Sequence, residues 1–168
     1  MQNGLMRILA VDPGTLITGY ALIDCVDGKY TVVDYGCIRP PQKYKISDRY
    51  LIIFESIDAL LEKYTPSCLV VETQYVKYNV QTTIKLGMAR GAVLVAAARR
   101  KVKIYEYAPS QAKRAVVGRG YASKAQVQGM VQLLLQIQDV PEDAADALAL
   151  AVCHAQALHA KKITMQEV

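Results

Sequence analysis

No stretch of this 168-residue chain is long and apolar enough to cross a bilayer. The longest, Gly91 to Ala98, falls far short of the roughly 20 residues a spanning helix needs. The opening, Met1 to Leu9, lacks a charged lead followed by a long apolar core, so no secretory signal is expected. No Cys-x-x-Cys pair occurs. Cys25, Cys37, Cys68 and Cys153 are scattered, and three of them lie in apolar runs. That pattern reads as buried free thiols in a reducing cytoplasm. Internal repeats and low-complexity tracts are absent too. With 52% hydrophobic residues, disorder is excluded. Acidic residues are in short supply, 15 against 20 Lys and Arg, giving a net charge of +5. The resulting pI of about 9.0 fits a partner that bears phosphates without requiring one. The length suits one domain over 1–168, with a short tail from about 161.

The order of elements follows from patterning. Ile8 to Val11 is an unbroken apolar run stopped by Asp12-Pro13-Gly14, and reads as a buried strand. Tyr20 to Cys25 and Tyr30 to Ile38 read as two more strands, joined by an Asp27-Gly28 turn. Leu51, Ile52, Ile57, Leu60 and Leu61 recur at helical spacing within Asp48 to Tyr64, with Ser47 or Asp48 as the cap. Cys68 to Val71 is a fourth strand and Val80 to Arg100 a long helix of small residues. A fifth strand spans Val102 to Tyr107. Helices follow from Ser110 to Val117, from Ser123 to about Gln136, and from Pro141 to about Ala160. A strand–helix–strand crossover makes its strands parallel. The expectation is an α/β fold: a mixed five-stranded sheet flanked by helices.

Two acids stand directly after apolar strands, Asp12 and Glu72. If those strands are parallel neighbours, both emerge at the carboxyl edge where α/β proteins place ligands. Each alone is more ordinarily a turn or solvated residue. Asp143 and Asp146 lie three apart at the start of the last helix, about 60° apart around its axis. Acids there also complement the helix dipole. Their neighbours Ala144, Ala145, Ala147, Leu148 and Ala149 are apolar, however, so this face is expected to pack against something. Close acids raise each other's pKa, and call for a metal or a proton. Glu142, about 100° from Asp143, is expected to point elsewhere and be dispensable. Converging carboxylates with oxygen-only donors suit Mg²⁺, or Mn²⁺, over zinc. Two such ions about 3.5–4 Å apart suit phosphodiester hydrolysis by water, with no protein nucleophile. Cys153 and His154 are adjacent on one helix and cannot face each other, so His154 is read as a packing or surface residue.

Five ordered blocks carry a resemblance. They are ILAVDPGTLITG (Ile8–Gly19), LVVETQY (Leu69–Tyr75), KLGMARGAV (Lys85–Val93), AVVGRGYASKAQV (Ala115–Val127) and DAADALALAVCHA (Asp143–Ala155). Together they resemble the RuvC family of Holliday junction resolvases. The resemblance implies an RNase H-like fold and a homodimer that makes paired symmetric nicks in four-way DNA junctions. It also implies ligatable 5′-phosphate and 3′-hydroxyl ends, and work beside the RuvA–RuvB branch-migration complex. The family's acidic quartet falls on Asp12, Glu72, Asp143 and Asp146. Its base-stacking Phe falls on Tyr75, whose ring keeps the stacking capacity. Its basic residues fall on Lys113 and Lys124. Lys77, Lys85, Arg90, Arg119 and Lys124 are further candidates for phosphate contact. The small-residue helix from Val80 suits both a core and a two-fold interface.

Two rival readings fit the same residues. Actin-like ATPases also place an acid and Gly-Thr after a first strand, but need a second half and a phosphate loop. A junction-binding protein without catalysis would keep the acids for packing.

Overall fold

The computed structural model describes residues 5–73, 79–160 and 166–167. Strands β1 (Met6–Asp12), β2 (Thr18–Val26) and β3 (Lys29–Ile38) form an antiparallel meander. The turn between β2 and β3 places Asp27 at φ 50° and Gly28 at φ 77°, the left-handed pair a two-residue hairpin requires. Helix α1 (Ile46–Tyr64) leads to β4 (Cys68–Glu72), and α2 (Val80–Arg99) leads to β5 (Lys103–Tyr107). Strand β4 lies parallel to both β1 and β5. Helices α3 (Pro109–Val117), α4 (Lys124–Leu135) and α5 (Glu142–His159) follow. The expected mixed sheet of five strands is present, with a two-residue strand β6 (Gln166–Glu167) added at its edge. Its order is β3-β2-β1-β4-β5-β6.

Both faces of the central strands are covered, which is why β1 and β4 read as unbroken apolar runs. Side chains alternate along a strand. Leu9, Val11, Leu69 and Val71 therefore face α1 and α2, where they meet Ile53, Ile57, Val93 and Ala97. Ile8, Ala10, Cys68 and Val70 face the other way, onto α5. Helix α5 is buried almost all round. Every residue from Ala144 to Ala155 except Asp146 is buried, because the sheet covers one side and α3 and α4 the other. Its alanines keep it thin, so it can sit close on the sheet.

Two helix starts differ from the sequence reading. Lys45, not Ser47 or Asp48, is the N-cap of α1; the Ser47 hydroxyl instead donates to Asp48. Ala108, not Ser110, caps α3. Pro109 occupies the first turn, and Gln111 Oε1 accepts from the Ala108 N–H at 2.7 Å. Proline at the first helical position costs no hydrogen bond, so the helix begins there. The Ser123 cap of α4 is as expected, a reciprocal pair with Gln126.

Candidate active site

Alternation places the first two acids. Asp12 shares its face of β1 with Ile8 and Ala10, and Glu72 shares its face of β4 with Cys68 and Val70. Both therefore project toward α5. The parallel register pairs Val11 with Val71, so the two acids stand side by side one step beyond. This is the carboxyl edge of the sheet.

Backbone packing brings the helix to them. A Cβ at Gly19 would lie 2.0 Å from the Asp143 carbonyl oxygen. Only a glycine lets the first turn of α5 come that close to β2. The loop from Asp12 is fixed as well. Buried Thr18 accepts from the Gly14 N–H at 3.2 Å and donates to the Gly14 carbonyl at 3.0 Å. With the loop and helix so held, Asp146 reaches the strand-end acids. Asp12, Glu72 and Asp146 line one cleft of about 210 Å³. Its other wall comes from α3 and α4, including Lys113, Lys124 and Val127.

The electrostatics follow from this crowding. The Asp12 carboxyl is pushed up to about 8. Burial is the main cause; repulsion from Glu72 and Asp146 and a hydrogen bond with Glu72 add to it, and Lys124 opposes. Burial also raises Asp146, again against Lys124. The Lys124 ammonium lies 2.8 Å from Glu142 and 3.5 Å from Asp146, and these acids hold its pKa above the usual lysine range.

The candidate residues divide accordingly. Asp12, Glu72, Asp146, Lys113 and Lys124 come together in the cleft. Asp143 sits one turn earlier on α5 and does not line it, although its charge acts on Lys124 and on Cys37. Glu142 does not line the cleft, yet four positions before Asp146 it lies only about 40° from that acid around α5. Both acids meet Lys124, so Glu142 is coupled to the site, contrary to the expectation that it points elsewhere. Arg119 sits on the α3–α4 loop with its guanidinium 5.5 Å from the Tyr121 ring. Lys85 is exposed on α2, whereas Arg90 is ion-paired to Glu106 of β5. Tyr75 and Lys77 lie outside the described residues. Among the described residues, no three His, Cys, Asp or Glu side chains form a ready-made cation-binding group. The donor set of the cleft still fits a hard divalent cation. It offers only carboxylate oxygens, and burial already drives one of them toward protonation.

His154 is a packing residue. It is fully buried, with its Nε2 3.3 Å from the Cys68 sulfur and its Nδ1 2.9 Å from the Tyr107 hydroxyl. Burial lowers its pKa to about 4, so it stays neutral near neutral pH. The cysteine it meets is Cys68 on the sheet, not its neighbour Cys153. All four cysteines are free thiols, two buried and two half-buried.

An RNase H-like fold with acids gathered at its carboxyl strand edge defines the class. Within that class the sequence matches the family model of the crossover junction endodeoxyribonuclease RuvC over residues 8–154. It is 60% identical over 158 residues to RuvC of Protochlamydia amoebophila (strain UWE25), covering 93% of this chain and 94% of that one. To RuvC of Halothermothrix orenii (strain H 168 / OCM 544 / DSM 9562) it is 47% identical over 151 residues, 89% and 92% of the two chains. The structure resembles Thermus thermophilus RuvC in complex with a Holliday junction substrate, with a TM-score of 0.87 and 30% identity over 97% of this chain and 99% of that one. The chain belongs to the RuvC family of crossover junction endodeoxyribonucleases. The yeast mitochondrial Holliday junction resolvase Ydc2, at 15% identity and a TM-score of 0.70, shares the fold.

Proposed function

We propose that this chain resolves Holliday junctions by metal-assisted phosphodiester hydrolysis, making paired symmetric nicks during recombination and repair. The observation that carries this is the cleft in which acids from two parallel strand ends and a helix meet beside two lysines. Asp12, Glu72 and Asp146, with Asp143 from the preceding turn of α5, would hold Mg²⁺, or Mn²⁺, with two ions per site. When bound, the ions supply a low-pKa water and charge neutralisation at the phosphate. With water as the nucleophile, no protein nucleophile is needed. Lys124, held by Glu142, and Lys113 place positive charge where the scissile phosphate enters. Lys85, Arg119, Tyr75 and Lys77 extend the contact to DNA, with the Tyr75 ring against a base at the junction centre. Arg90 joins them only if it leaves Glu106.

The whole chain acts as one nuclease domain, in the cytoplasm, as a homodimer beside the RuvA–RuvB complex. The stripe Val80, Ile84, Met88 and Val95 on α2 supports the dimer. These residues share one helical face, and each is more than half exposed. A Cβ at Gly91, near that stripe, would meet nothing within 4 Å, so the surface is open to a second copy. Two sites related by a two-fold axis match the symmetry of the junction.

Incubation with a synthetic four-way junction, with and without Mg²⁺, tests the proposal. Symmetric nicks that ligase reseals are expected only with the metal; linear duplex cut as readily as the junction would overturn it.

A further inference from the structure

Tyr121 is 83% exposed, more than any other large hydrophobic residue of the described chain. A lone exposed aromatic needs no explanation. The loop that carries this one is, however, built to hold it still. Gly118 closes α3 in the left-handed region at φ 80°, with its N–H donating to the Arg114 carbonyl at 2.9 Å. Gly120 packs against α3, where an added Cβ would lie 3.2 Å from Ser110. Ala122 is buried in the core beneath, and Ser123 starts α4 through its reciprocal pair with Gln126. Tyr121 is thus fixed between two anchored neighbours and turned outward. The outer face of the ring, in water, gains nothing from packing.

Its surroundings specify what the ring suits. The Arg119 guanidinium lies over it at 5.5 Å, leaving a flat surface with a cation at its back. Three residues on, Lys124 enters the cleft beside Asp146. Three residues span at most about 10 Å, so the backbone of Tyr121 lies within that distance of the Lys124 backbone that serves the cleft. Lys113, on the neighbouring helix, continues the positive lining. Aromatic rings flanked by cations take unpaired bases, by stacking and backbone attraction together.

From this arrangement we infer that Tyr121, backed by Arg119, is a second stacking platform. It takes a splayed-out base of the cut strand next to the cleft. The inference rests on the reading of the chain as a junction nuclease. It adds a contact on the α3–α4 side, opposite the strand edge that Glu72 ends.

The test uses the full-length protein in EDTA, so that binding is read without cutting. Four-way junctions carry 2-aminopurine at successive positions flanking the cut. The parent is expected to change the fluorescence at one such position, and Tyr121→Ala to lose that change while binding the junction about 10-fold more weakly. Tyr121→Phe should keep both. Binding to a linear duplex of the same sequence should be equal for all three. Tyr121→Ala that keeps the fluorescence change and the affinity overturns the inference. So does equal weakening on junction and duplex, which marks a backbone contact. A parent that does not prefer the junction to the duplex overturns the underlying reading and this inference with it. A parent that prefers the junction while Tyr121→Ala is indistinguishable overturns the platform alone.

Discussion

Burial among other acids raises the pKa of Asp12, and the effect has a testable sign. Its folded pKa, about 8, lies above the ordinary value of 3.8. The folded state therefore holds this proton more tightly than the unfolded chain. As pH rises from about 4, the unfolded chain loses its proton first, so stability falls until Asp12 also ionises near 8. In EDTA, the melting temperature of the parent should drop between pH 5 and 8 relative to Asp12→Asn, by the equivalent of more than about 1 kcal/mol. Mg²⁺ should remove most of the difference, because a cation replaces the proton. Parallel melting curves of parent and variant across that range would show that Asp12 is not buried among the other acids as placed. The acids were legible at this scale: Asp12 and Glu72 from the strands they end, Asp143 and Asp146 from helical spacing and family resemblance. The Glu142–Lys124–Asp146 chain was not. It joins residues on two helices 18 positions apart, and no periodicity records which side chains of separate elements meet.

At the scale of elements, the site depends on how closely α5 approaches β2. Gly19 sets that distance, since any side chain there would run into the Asp143 carbonyl. Gly19→Ala should destabilise the protein by about 1–3 kcal/mol and reduce cleavage further than the stability loss explains, because Asp146 moves with its helix. Denaturant unfolding and junction cleavage on the same sample check this; a variant stable and active as the parent would mean that α5 is not held where Gly19 meets it. Element boundaries were readable because the apolar pattern switches cleanly from runs to helical spacing. The misplaced starts of α1 and α3 have a common cause. Polar capping residues were available at both, Ser47 and Asp48 at α1 and Ser110 at α3, but the helices start earlier, after Lys45 and at Pro109. Gly19 itself stood in the sequence without a turn signal. Its role lies in a contact between residues 124 positions apart.

For the whole molecule, the outward face of α2 should decide oligomeric state. Ile84→Glu places a charge in the middle of the exposed apolar stripe. By sedimentation, the parent is expected to be a dimer and the variant a monomer with unchanged helical content. The variant should nick single strands of the junction without pairing its cuts. A dimer that survives Ile84→Glu and Met88→Glu together would move the interface elsewhere. Fold class came from the alternation of apolar runs and helices; the spatial order of the strands did not, since the sequence left the pairing of β1 with β4 as a condition. The two-residue edge strand β6 did not, being too short to carry a pattern.

The central claim is that the cleft carboxylates cut and do not merely pack. Asp12→Asn and Asp146→Asn, separately and together, decide it when junction binding and junction cleavage are measured side by side in Mg²⁺. Each single variant is expected to bind the four-way junction like the parent and to lose cleavage by about 100-fold or more, the scale of a lost transition-state contact. Cleavage that persists in the double variant would contradict the account.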